Sequence, residues 1–192
     1  LQTQVELEGV VPAYTVATPK AGGDPYALDD CEQAAEILWD RDSTAWRLPT
    51  EAEWEVAARG GDVSGRWWTG DEEPALLAAE WLAPNAGWHT HGSCAAPRAN
   101  AHPLGLCDML GNVTEWTWDL YVEAIPGGLD PAVSAVPAGT ASSRVIRGGS
   151  WSDSPADARA AHRGRNDPGR RLDHRGFRLV RSVDPSPSGS GS

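Results

Sequence analysis

RVIRGGSWSDSPADARAAHRGRNDPGRRLDHRGFRLVR, residues 144–181, is the stretch from which the rest of the chain reads outward. It opens with a β-type run (Arg144, Val145, Ile146), turns at Gly148-Gly149 and closes with a second strand-like run (Phe177, Leu179, Val180). Between these runs, almost no side chain is aliphatic and larger than Ala. A segment that cannot bury itself, held between two that can, is expected to be a loop displayed on a scaffold. Charge divides at the same place. Residues 144–192 hold ten Arg against five Asp, whereas residues 1–143 hold six Lys or Arg against twenty-two Asp or Glu. A basic segment on an acidic body either docks inward through ion pairs or is offered to a partner.

Bulk properties narrow the class. A chain of 192 residues with 40% apolar content supports a core and one domain, or one and a fraction. Its expected extent is residues 1–182, with a flexible tail at 183–192. Ten Trp against one Phe place many indoles at element junctions, where the N–H finds a partner. Frequent Gly and Pro, with little helical periodicity, point to a loop-rich α+β fold. A pI near 4.8 argues against nucleic acid as the partner. No apolar run is long enough for a membrane span, so no membrane partner is expected. The first residues lack the basic and apolar regions of a signal peptide. Cys31, Cys94 and Cys107 follow no C-x-x-C pattern, so free thiols in a reducing compartment are expected, which leans towards the cytoplasm.

Along the chain, VVPAYTV (residues 10–16) reads as a strand from Pro12, and PKAGGDP (residues 19–25) as a turn-rich loop. CEQAAEIL (residues 31–38) reads as a short helix after Asp29-Asp30, or as the approach to a strand at Ile37-Leu38-Trp39. RLPTEAEWEVAARGG (residues 47–61) predicts a helix: Thr50 is a natural N-cap, Glu53 completes a capping box and Gly60 ends it. Residues 62–84 read as loop. His89, His91, Cys94 and His102 fit no common zinc spacing and are expected to be solvated or hydrogen-bonded. In LCDMLGNVTEWTWDLY (residues 106–121), Gly111-Asn112 is a turn signal. Asp108 and Glu115, with carbonyls freed at Gly111 and Val113, suit an oxygen cage for Ca²⁺; the alternative, which spacing alone favours, is that these carboxylates cap a turn or pair with Arg of the C-terminal segment.

Four motifs in order, WRLPTEAEWEVAARGG, LCDMLGNVTEW, RVIRGGSW and RNDP followed by GFRLV, together resemble the formylglycine-generating enzyme (sulfatase-modifying factor) family. The resemblance covers nearly the whole chain. It implies a C-type-lectin-like α+β fold, with GFRLV as a core strand and the loop before it on an exposed or cleft-forming face. It also implies a structural Ca²⁺ at Asp108, Gly111, Val113 and Glu115. Two departures qualify it. The family's oxidases carry a Cys pair just after G-G-S-[WY] that binds copper, yet no Cys follows Cys107 here. Ser152 and Asp153 cannot supply that chemistry, so no copper is expected. The family domain also begins earlier, so this chain is expected to be partial at its N-terminus, or completed by a further chain or segment.

Relatives without the Cys pair include variable proteins of diversity-generating retroelements, in which the loop before GFR is rewritten at adenines of Asn codons. Ser152, Asp153, Ser154, Asp157, His162, Gly164, Asn166, Asp167, Gly169, Arg170, Leu172, Asp173 and His174 are all reachable from AAC in that way. These thirteen are the expected ligand-binding residues, for a protein or a small ligand. Arg170, Arg171 and Arg175 offer donor forks, whereas Arg159 and Arg163 are expected to reach inward to Asp108, Glu115 or Asp119. The leading reading is a non-catalytic binding domain. The alternatives are a divergent enzyme using His162 or His174 with Asp153 or Asp173, and a regulatory domain of the same family.

Overall fold

The computed structural model describes residues 13–17, 36–95, 102–135 and 143–183. They fall into two units, residues 48–178 and the flanking pieces 1–47 and 179–192. The PKAGGDP loop, the helix expected near Cys31 and the tail beyond Val183 lie outside the described residues.

In the flanking unit, β1 (Tyr14–Ala17) pairs antiparallel with β2 (Glu36–Trp39), and Arg47 bridges Val180. Of the run expected as a strand, Tyr14, Thr15 and Val16 are strand, while its expected start at Pro12 lies outside the described residues; Ile37-Leu38-Trp39 are strand and not helix.

The larger unit begins with α1 (Glu51–Arg59). Its start follows from sequence chemistry. Thr50 Oγ1 accepts from Glu53 N at 3.1 Å, and Glu53 Oε2 accepts from Thr50 N at 2.8 Å, so two otherwise orphaned donors are satisfied reciprocally. Gly60, at φ 61°, ends the helix. The buried face is Glu51, Trp54 and Ala58, while Val56 is 69% exposed. Helical spacing puts Glu51, Trp54 and Ala58 on one side. Residues 62–84 are not all loop, since a short α2 (Glu73–Leu77) carries Pro74 in its first turn, where its fixed φ is suited.

One sheet carries the rest. β3 (Thr114–Leu120) pairs antiparallel with β4 (Arg144–Arg147) and parallel with β6 (Arg175–Phe177); β4 pairs antiparallel with β5 (Gly164–Asn166). The order is β5-β4-β3-β6. Trp54, Trp67, Leu76, Leu82, Met109 and Leu110 form the core with Ala158 and Ala160.

GFRLV is not a core strand. Alternate residues of a strand share a face. Gly176 of β6 turns inward, where a Cβ would lie 2.8 Å from Val113, and Arg178, just past the strand, reaches Glu115. Phe177 and Leu179 therefore face out, at 64% and 50% exposure.

The thiol expectation also fails. Cys94 and Cys107 form a disulfide, which removes the argument for a reducing compartment. Neither residue lies in a C-x-x-C pattern; the turn at Asp108 brings them together, its Oδ2 accepting from Cys94 N at 2.7 Å. Closing a loop of this length restrains the unfolded chain by about 3 kcal/mol. Reduction under native conditions is expected to lower the urea midpoint by that stability, and Cys94→Ser to match it without reductant. Among the described residues, no helix is long and apolar enough to cross a membrane.

Candidate ligand-binding cleft

The site is built where four strand ends converge. β4 ends at Ile146-Arg147, and the chain turns through Gly148 and Gly149, at φ 94° and 70°. Gly149 packs against Ala158, where a Cβ would lie 3.2 Å from Ala158 Cα. That contact pins the segment that follows. Ala158 and Ala160 are fully buried, Asp153 O accepts from Ala83 N, and Pro155 O accepts from Trp67 Nε1. The expectation of a wholly displayed loop is therefore corrected. Residues 152–163 are fastened to the core by small side chains and backbone bonds, whereas residues 169–173 are exposed.

Polar anchors complete the fastening. Arg147, with no exposed side-chain surface, bonds Glu51 Oε1 at 3.0 Å, Glu55 Oε2 at 2.5 Å and Ala160 O at 2.6 Å. Arg163 bonds both oxygens of Glu51, at 2.6 and 2.9 Å, and the carbonyl of Val122 at 2.8 Å. Arg163 thus reaches inward as expected, but to Glu51, and the Glu51 bond holds its guanidinium above the usual value. Arg159 does not reach inward; it is exposed and donates to Ala156 O. Asp119 instead accepts from the backbone N–H of Glu51 and Val133, and burial raises its carboxyl.

The result is a cleft of about 300 Å³ lined by Thr114, Ile146, Arg147, Gly148, Gly149, Asp153, Asp157, His162, Gly164, His174 and Arg175. Of the thirteen residues singled out in sequence, Asp153, Asp157, His162, Gly164 and His174 meet there. Ser152 and Ser154 stand behind them: Ser150 Oγ lies 3.0 Å from Ser152 Oγ and donates to Asp153, and Ser154 Oγ donates to Asp157. Asn166, Asp167, Gly169, Arg170, Leu172 and Asp173 are not in the cleft. They form β5's end and a turn in which Asp167 Oδ1 accepts from Gly169 N at 2.8 Å. Sequence reasoning missed Thr114, Ile146, Arg147 and the two glycines as lining; only the Gly-Gly turn signalled that part of the cleft. Beyond the lining, Trp151 stands in T-shaped contact with His174 and with Trp88, at 6.3 Å between ring centroids in each pair, and Trp88 is 71% exposed.

The four residues expected to hold Ca²⁺ do not fit it in this arrangement. Arg178 Nε and Nη2 bond the two Glu115 oxygens at 2.5 and 2.6 Å, and Trp54 Nε1 adds a third bond. Arg178 Nη2 also reaches the carbonyls of Cys107 and Asp108. A guanidinium therefore takes the carboxylate a cation would need, which is the alternative pairing weighed above. Among the described residues, no group of three or more His, Cys, Asp or Glu is arranged for a metal. The histidines are bonded instead, His91 to Ala86 O at 2.8 Å and against Trp81, and His89 to Thr90 O.

Beside Asp108 lies Glu80. Burial pushes its carboxyl up to about 8; a bond from Trp68 opposes the shift and Asp108 adds to it. The folded state thus holds a proton that the unfolded state, titrating near 4.5, releases. Stability contributed at acid pH is lost as pH rises from about 4.5 to about 8. Glu80→Gln is expected to flatten that decline, read as the urea midpoint at pH 5 against pH 8.

With this geometry in view, the known proteins resembling the chain are informative. Residues 11–183 match the sulfatase-modifying factor enzyme 1-like domain. The chain belongs to that family. The serine/threonine-protein kinase Pkn1 of Chlamydia trachomatis is 39% identical over 140 residues, covering 71% of this chain and 21% of the kinase. The inactive C-alpha-formylglycine-generating enzyme 2 of Mus musculus is 36% identical over 154 residues, 72% of this chain and 45% of that protein. Among solved structures, Treponema denticola variable protein 1 superposes with TM-score 0.74 at 32% identity, covering 92% of this chain and 64% of that one. The α+β, C-type-lectin-like frame of the sulfatase-modifying factor family is thus the fold. The chain spans about a fifth of the length of the kinases it matches. In this family member, Ser152 and Asp153 follow the Gly-Gly-Ser-Trp turn, and its Cys94 and Cys107 are joined to each other away from that turn.

Proposed function

We propose that this domain is a non-catalytic binding module that recognises a protein or small ligand through the cleft and the turn leading into it. The observation that carries the reading is the lining itself: Asp153, Asp157, His162, His174 and Arg175 gather on a frame whose sulfur ligands are missing. The inactive mammalian relative, named as such, fits a family frame kept without its oxidation chemistry. The exposed turn at Asp167–Asp173 supplies Arg, Asp and Gly, side chains that grip by hydrogen bonds and ion pairs and adapt at low steric cost.

Selection of a displayed random-peptide library against the purified chain tests this. Peptides that bind the wild type and lose at least tenfold in affinity for Asp153→Ala/Arg170→Ala/His174→Ala support it. Peptides that bind both proteins equally place recognition elsewhere and overturn it.

The finer reading is that the site is rewritten by a diversity-generating retroelement. The likeness to a variable protein at 32% identity supports it, with the AAC-reachable lining. A reverse-transcriptase gene beside a near-copy of the codons for residues 144–181 is the expected genomic arrangement. A second reading, a sensing module joined to another activity, is favoured by the kinase matches. The reading frame continuing into a kinase domain would support it.

A further inference from the structure

The cleft holds opposite charges that have not closed on one another. Arg175 opens β6, and Asp153 and Asp157 stand in the segment after Gly149; all three line the same space. Arg175 feels Asp153 as its strongest opposite charge, yet its Nε and Nη1 are buried without a hydrogen-bond partner. Other contacts hold each group in place. The Arg175 guanidinium lies 5.7 Å from the Trp116 ring centroid, Asp153 Oδ2 accepts from Ser150 and Asp157 Oδ2 accepts from Ser154. Those serine bonds use one oxygen of each carboxylate. Nearby, His162 Nδ1 also lacks a hydrogen-bond partner, 3.6 Å from Asp157 Oδ1. Arg147, the other arginine lining the cleft, is held by Glu51 and Glu55 through Nη1 and Nη2, with only its Nε left without a partner.

Buried donors without acceptors are costly, and a guanidinium is best satisfied by a carboxylate that meets its fork. A purely anionic ligand would meet Asp153 and Asp157 as repulsion. A purely cationic one would meet Arg175. A ligand with both charges a few bonds apart satisfies both sets at once. The volume, about 300 Å³, lies at the lower end for small-ligand pockets. We propose that the cleft takes a small zwitterion, a free α-amino acid, with its carboxylate on Arg175 and its ammonium on Asp153 and Asp157. His174, backed by Trp151, then stands beside its side chain. This rests on the binding reading above and narrows it to a ligand class.

The test is thermal unfolding with glycine, L-leucine, L-phenylalanine, L-glutamate and L-arginine, followed by calorimetric titration of whichever raises the midpoint most. At a hundredfold excess over its Kd, that amino acid is expected to raise the midpoint by roughly 5–10 °C. Its amide, which lacks the carboxylate, and its N-acetyl derivative, which lacks the ammonium, are each expected to bind at least tenfold more weakly. Arg175→Gln and Asp153→Asn are expected to lose at least tenfold while their ligand-free midpoints stay near that of the wild type. The proposal is overturned if none of the five shifts the midpoint at millimolar concentration, or if either derivative binds as tightly as the parent. The derivative comparison needs no variant, so it decides even if a substitution unfolds the chain. Peptides selected through the cleft alongside a null amino-acid panel would overturn this proposal and leave the broader binding reading standing.

Discussion

Arg147→Met is expected to lower stability by about 3–5 kcal/mol, a fall in thermal midpoint of roughly 6–20 °C. Arg147 is the centre of the charge cluster that holds α1 to the sheet. Its side chain has no exposed surface, and it binds two carboxylates of α1 and the carbonyl of Ala160. Burial alone would favour losing its charge, and Glu51 and Glu55 oppose that. Methionine keeps much of the volume and removes the donors. Glu51, itself buried, is then left with Arg163 alone, and Ala160 O loses its side-chain donor. The penalty comes from the stranded partners more than from the lost attraction. A double substitution, Arg147→Met with Glu51→Gln, is therefore expected to recover part of the loss. Urea denaturation of the three proteins checks both parts. A single variant within 1 kcal/mol of the wild type, on the scale of an exposed pair, would mean the cluster does not hold the helix.

Gly111→Ala is expected to be as severe, at more than about 4 kcal/mol. Its φ is 88°, a region that costs an ordinary residue about 1–2 kcal/mol. The larger part is steric. A Cβ there would lie 2.1 Å from Trp81 O and 2.9 Å from Trp81 C, backbone atoms that cannot swing away. Trp81 O also accepts from Asn112 N at 2.7 Å, and Gly111 N donates to Gly148 O at 2.8 Å. Displacing this turn therefore moves the Gly-Gly turn of the cleft. Gly105→Ala separates the two terms. Gly105 has φ 69°, but nothing lies within 4 Å of its Cβ position, so only the conformational cost of about 1 kcal/mol is expected. Unfolding curves for the two alanine variants should differ by at least threefold in lost stability.

These cases mark what the sequence made legible. α1 was readable because its start and stop are chemical: Thr50, Glu53 and Gly60 each satisfy a specific backbone group within a few residues. The Gly111 and Gly148-Gly149 turns were readable because positive φ selects glycine. The Glu51–Arg147–Arg163 cluster was not, since its members lie up to 112 residues apart and each reads alone as surface charge. The anchoring of residues 152–163 was hidden for another reason. Ala158 and Ala160 add little hydrophobicity, yet both are fully buried because Gly149 lets the backbone approach. Phe177 and Leu179 misled in the opposite sense: Gly176 of β6 and Arg178 just past it are the residues that turn inward. The Cys94–Cys107 bond depends on a turn whose geometry no spacing rule encodes.

The cleft itself was half legible. Asp153, His162 and His174 were singled out through the resemblance to retroelement variable proteins, and their convergence required the four strand ends. These side chains are carried by the frame and are not part of what keeps it folded. Thermal unfolding of Asp153→Ala/Arg170→Ala/His174→Ala beside the wild type tests this most directly. Arg170 is exposed, and the Asp153 side chain accepts one hydrogen bond, from Ser150, so a shift below about 4 °C is predicted. Loss of the cooperative transition would contradict it and make the cleft residues structural.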